Sequence, residues 1–84
     1  MDLRNQSPQI DYPCFWEYCV IGQDPSFLSR EIRSVAGNRR FTLKAANQKG
    51  VWHSLHLSLW VHNEEERNSA YVALKEITGV RMVI

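Results

Sequence analysis

The stretch from Trp52 to His62 alternates so regularly that one conformation fits it. Leu55, Leu57, Leu59 and Val61 fall on one side, and Trp52, Ser54, His56, Ser58, Trp60 and His62 fall on the other. A period of two is that of a β-strand with one buried face, and a slip of one residue would turn every aliphatic side chain into water. The register predicts leucines lying beneath a helical layer, with two indoles turned to the opposite face of a sheet.

The rest of the chain supplies elements to build around that strand. Cys14 to Ile21 alternates as well, with Trp16, Tyr18 and Val20 on one face and Glu17, Cys19 and Ile21 on the other. Asp24 is a natural N-cap, Pro25 suits the first helical position, and Leu28, Ile32, Val35 and Ala36 repeat at helical spacing before Gly37 stops the helix. Phe41, Leu43 and Ala45 alternate with Thr42, Lys44 and Ala46 in a further strand, and the turn residues from Asn47 to Gly50 predict a hairpin loop. Asn63 followed by Glu66 reads as a capping box at a second helix. Ala70, Tyr71, Leu74 and Ile77 form its buried stripe, Gly79 stops it, and Val80 to Ile84 makes a last strand.

Strand, helix, strand, strand, helix, strand is the split βαβ pattern, in which both helices cover one face of an antiparallel sheet. The expectation is therefore an α+β, ferredoxin-like βαββαβ fold with strand order 4-1-3-2. Residues 14–84 form one domain behind a flexible polar tail of residues 1–13. With 44% hydrophobic and 23% charged residues, the 84-residue chain can bury one modest core.

A net charge of +1 provides no global field for nucleic acid or an anionic membrane. Arg30, Arg33, Arg39, Arg40, Lys44 and Lys49 crowd the middle of the chain, and Glu64, Glu65 and Glu66 sit where a helix dipole favours negative charge. Both read first as solvated surface. No apolar run approaches the length of a membrane span or a signal-peptide core, so a reducing cytoplasm is expected. Cys14 and Cys19 agree with that: on one strand they stand ~16 Å apart, whereas a disulfide needs Cα atoms within ~7 Å.

Side chains capable of chemistry do not converge at strand spacing. His53 and His56 point to opposite faces, and His56 and His62 lie ~20 Å apart along one strand, so neither a metal site nor a cofactor is expected. Cys19 and His56 share the open face, but an open surface excludes no water and provides no oxyanion hole. No catalytic residue is therefore assigned. In RNA-recognition domains of this fold, bases stack on aromatics that would here fall on Val51 and His53, two positions the leucine register turns toward the helices.

Several local runs resemble the YbeD-like family of small bacterial proteins of uncharacterised role. They are Tyr12-Pro13, Val20-Ile21-Gly22-Gln23, Lys49-Gly50-Val51-Trp52-His53-Ser54 and Val80-Arg81-Met82-Val83-Ile84, which together frame residues 12 to 84. The resemblance implies a fold close to that of ACT domains, which bind amino acids or other small effectors and often pair through their sheets or helices. ACT domains typically carry an acidic residue and then Pro-Gly between the first strand and first helix. Here Asp24 and Pro25 match, and Ser26 stands where glycine would leave the backbone open.

The function expected from all this is a non-enzymatic adaptor or regulatory domain that contacts an unidentified protein partner through its open sheet face. Ile21, Trp52, Trp60 and Val83 make the apolar part, with His56, Lys44 and Arg81 around it. The alternative is an ACT-like effector module, dimeric, using Gly22, Gln23, Asp24, Pro25 and Ser26 at the start of the first helix. An RNA-binding domain comes third.

Overall fold

The computed structural model describes residues 10–84, so residues 1–9 of the expected tail lie outside it. Elements follow in the order β1 (Cys14–Gly22), α1 (Pro25–Ala36), β2 (Phe41–Lys49), β3 (Trp52–Val61), α2 (Glu64–Lys75) and β4 (Val80–Val83). All strand pairs are antiparallel, and the sheet runs β2-β3-β1-β4, which is 4-1-3-2 read from the other edge.

The alternation of β3 is realised as predicted. Leu55, Leu57, Leu59 and Val61 are at most 4% exposed and pack with Tyr18 and Val20 of β1 beneath Leu28, Ile32 and Ala36 of α1 and Ala70 and Leu74 of α2. These aliphatic side chains hold the domain together, since burying each removes ~1.5–3 kcal/mol worth of apolar surface from water. Tyr18 adds a polar tie: its hydroxyl donates to the Arg67 carbonyl of α2 at 2.7 Å, and burial pushes its pKa up to about 12 against the opposing pull of Arg67. Tyr12, ahead of β1, packs against the margin of the same core.

Both helix starts follow the sequence. Asp24 accepts from Phe27 N–H at 3.1 Å, and Asn63 accepts from Glu66 N–H at 2.8 Å. The Glu66 carboxylate reaches back one residue further than a capping box requires, to the His62 N–H at 2.8 Å. That bond, then the His62 ring, holds its pKa below the ordinary glutamate value.

Several expectations are corrected. Asn47 to Lys49 is strand rather than loop: Lys49 pairs with Trp52, leaving a two-residue turn of Gly50 and Val51. Gly50 has φ of 62°, the positive value that tight hairpin turns demand, and an edge strand tolerates the polar residues that suggested a loop. Val51 consequently sits in the turn, 60% exposed, instead of facing the helices. Tyr71 is 38% exposed with Lys75 over its ring, because the buried stripe of α2 is the narrower set Ala70 and Leu74, continued by Ile77. The helix ends at Lys75, before a turn that leads through Gly79 to β4.

Candidate functional site

Among the described residues, no helix covers the second face of the sheet. The odd positions of β1 and the even positions of β3 meet there in register, Phe15 opposite Trp60, Glu17 opposite Ser58, Cys19 opposite His56 and Ile21 opposite Ser54. From β2, Lys44 lies beside His56 and Lys49 beside Trp52. From β4, Met82 lies beside Ile21, and Ile84 exchanges both backbone hydrogen bonds with Cys19. The five residues expected to form the contact surface, Trp52, His56, Trp60, Arg81 and Lys44, are thus spread over three strands of one sheet.

The two indoles occupy opposite ends of this face, each with its own companion. Trp60 meets Phe15 edge-on, with ring centroids 4.8 Å apart and planes at 65°. Trp52 carries the Arg81 guanidinium over its ring at 4.9 Å, a cation–π contact. Between Trp52, Ile21 and Met82 runs a groove of about 270 Å³, bordered by Lys49 and Arg81.

One member of the expected patch belongs elsewhere. Val83 is 8% exposed and pairs with the core residue Val20, so it faces the helices, and Met82 takes the open position beside Ile21. The cause is a register shift between Ile21 and Gly22, a bulge that inverts the facing of β4 relative to a simple ladder. Phe15, Met82 and Ile84, at 47%, 47% and 70% exposure, were absent from the expected surface. Phe15 was legible, since it continues the alternation of Glu17, Cys19 and Ile21. Met82 was not, because nothing local in the sequence marks the bulge.

Basic side chains on the two sides of the sheet differ in their companions. Arg30 and Arg33 lie over the rings of Phe27 and Phe41, and Arg39 approaches Glu66 at 3.9 Å, so these serve the helix layer. Lys44, Lys49 and Arg81 pair with no carboxylate among the described residues, and Glu17 is the acidic side chain that shares their face.

The loop between β1 and α1 has a cavity of its own. About 430 Å³ opens between this loop and the turn before β4, lined by Gln23, Asp24, Phe27, Trp52, Thr78 and Gly79. Of the five residues expected at an effector site, Gln23 and Asp24 line it, while Gly22, Pro25 and Ser26 do not. Gly22 is buried beneath α1, where a Cβ would meet Leu28 Cδ1 at 2.6 Å and the Gly79 carbonyl oxygen at 2.8 Å. Its bareness serves close packing of strand, helix and turn. Asp24 already spends its carboxylate on the helix start.

Cys19 and His56 do become cross-strand neighbours, over a shallow recess that also involves Glu17 and Ile84. Among the described residues no group of three His, Cys, Asp or Glu stands close enough to hold a metal ion, and no helix is long and apolar enough to cross a membrane. Cys14 and Cys19 are both free thiols, on opposite faces of β1.

Comparison with known proteins extends this picture. Residues 7–84 match the family described as a protein of unknown function, DUF493. An uncharacterised protein of Campylobacter jejuni is 32% identical over 76 residues, covering 88% of this chain and 86% of the relative. A UPF0250 protein of Shewanella loihica is 29% identical over 80 residues, covering 89% and 90%. Among solved structures, the solution structure of a Helicobacter pylori protein superposes with a TM-score of 0.81 at 28% identity, covering 100% of this chain and 94% of the other. The ACT domain of a GTP pyrophosphokinase from Chlorobium tepidum superposes with a TM-score of 0.68 at 19% identity, covering 84% and 95%, a likeness of fold. With its sheet, its two helices and nearly its whole length accounted for, the chain belongs to the DUF493 family, the YbeD-like proteins whose function is uncharacterised.

Proposed function

We propose that this domain is an adaptor or regulatory module that works by protein–protein contact through its open sheet face. The observation that carries the reading is the pair of apolar groups at the two ends of a face that no helix of the described residues covers: Phe15 exposed beside a partly buried Trp60, and Met82 exposed beside a partly buried Trp52. An exposed group of this kind marks an interaction surface, and aromatic residues are those that most often anchor one. The polar side chains Ser54, His56 and Ser58 run down the middle, which suits a face that must stay in water until its partner arrives.

A second reading, that of an effector-binding module, draws on the cavity beside Gln23 and Asp24 and on the fold shared with the ACT domain of the pyrophosphokinase. The cavity has Trp52 as one wall, and its nearest carboxylate is already engaged. Amino acids and small organic acids titrated into labelled protein would shift the amides of Gln23, Ser26 and Phe27 under this reading.

The contact reading is tested with a partner captured from the native cell, identified and purified. Trp60→Ala and Phe15→Ala are expected to weaken its binding at least about tenfold, the loss typical of truncating an aromatic anchor. Unchanged affinity in both variants would remove the open face from the interface. Sedimentation at several concentrations tests whether the partner is a second copy of the chain.

A further inference from the structure

The Trp52 end of the open face holds an apolar groove with two basic side chains at its border, and these point to the chemistry of what docks there. We infer that the groove between Trp52, Ile21 and Met82 receives an apolar side chain carried on an acidic segment of a partner protein, with flanking carboxylates drawn to Lys49 and Arg81. This rests on the reading of the open face as a contact surface.

The groove's volume of about 270 Å³ suits one large side chain, and its walls are mostly carbon. Apolar anchors in small desolvated pockets carry much of the energy of protein interfaces. Lys49 and Arg81 stand at its border and pair with no carboxylate among the described residues, whereas Arg67 is bound to Glu64 at 3.1 Å and Arg39 lies 3.9 Å from Glu66. Glu17, the acidic residue of the same face, lies four positions along β1 from Ile21, ~13 Å away. Asp24 lies on the far side of Trp52, around the neighbouring cavity, with its carboxylate accepting from Phe27 N–H at 3.1 Å, so the charges at the border of the groove itself are the two cations.

Arg81 strengthens the case by its posture. Its guanidinium is held over the Trp52 ring, and an arginine fixed in that way has less freedom to lose when its N–H groups meet a carboxylate. The same contact disfavours a nucleic-acid strand, because bases stack on bare aromatic faces and one face of Trp52 is already covered.

The test uses the full chain, isotopically labelled, with three probes: a nine-residue peptide with a central leucine flanked by glutamates, the same peptide with lysines in their place, and a ten-residue oligouridine. The glutamate peptide is expected to produce saturable shifts at Ile21, Lys49, the Trp52 indole and Met82, weakening with salt. Lys49→Glu combined with Arg81→Glu should weaken it about tenfold and strengthen binding of the lysine peptide, as reversal of two charge pairs predicts. Thermal unfolding checks that the double variant is folded, and Lys49→Glu alone, on an exposed hairpin strand, provides a milder version. Equal binding of both peptides, failure of both, or tighter binding of the oligouridine at the same residues would overturn the inference. If the peptides fail while Trp60→Ala still releases the captured partner, the acidic-segment inference falls and the contact reading stands. If the partner is indifferent to Trp60 and Phe15 as well, both fall.

Discussion

The two faces of β3 are made from the same ten-residue strand and meet different surroundings. On one, Leu57, Leu59 and Val61 are fully buried and sealed by two helices. On the other, Arg81 lies over the Trp52 indole, Phe15 packs against Trp60, and His56 stands exposed between them. The uncovered face thus keeps two indoles that have more apolar surface to hide than any leucine beneath the helices. The proposed function assigns stability to one face and recognition to the other, one residue apart across the pleat.

If that segregation is real, substitutions on the two faces should separate cleanly. The largest effect is expected for Leu57→Ala, which should cost ~2–5 kcal/mol by emptying a site with no solvent access. That corresponds to a fall in melting temperature of at least about 8 °C for a domain of this size, measured by calorimetry. A loss under ~1 kcal/mol would mean that the core is looser than its geometry implies.

High pH probes the buried side next. Tyr18 ionises near 10 when unfolded and at about 12 when folded, so its contribution to stability is intact below pH 10 and is lost as pH rises from there through the folded value. The drop over that window is roughly 2–3 kcal/mol, and Tyr18→Phe should flatten it. Denaturant titrations at intervals between pH 9 and 12 decide the matter, since an equally steep decline in the phenylalanine variant would trace the loss to other groups.

Gly22→Ala examines the junction where sheet, helix and turn meet. The added methyl would collide with Leu28 Cδ1, which can move, and with the Gly79 carbonyl, which cannot without shifting the turn. A cost of about 1–3 kcal/mol follows from overpacking. Unaltered stability would show that the turn before β4 yields freely.

The smallest stability effect belongs to the open face. Phe15→Ala, at a side chain 47% exposed, forfeits its edge contact with Trp60, about 1 kcal/mol, while its effect on partner binding should be much the greater. A Phe15→Ala protein as unstable as Leu57→Ala would erase the division of labour between the faces.

Much of this was written in local pattern. Alternation in β1 and β3, the N-caps Asp24 and Asn63, and the stripes Leu28–Ile32–Ala36 and Ala70–Leu74–Ile77 are period and capping signals that each short segment carries by itself, so element order, topology and most of the core could be read from residues alone. Tertiary structure decided what depends on partners in space. The bulge at Gly22 turned Val83 inward and Met82 outward, pairing with β3 converted Asn47 to Lys49 from loop to strand, and packing exposed Tyr71. The groove beside Trp52 draws its walls from β1, β3 and β4, and its cations from two separate strands. Such a site has no local signature, because register between strands is set by the hydrogen bonds and packing of the whole sheet rather than by any one of them.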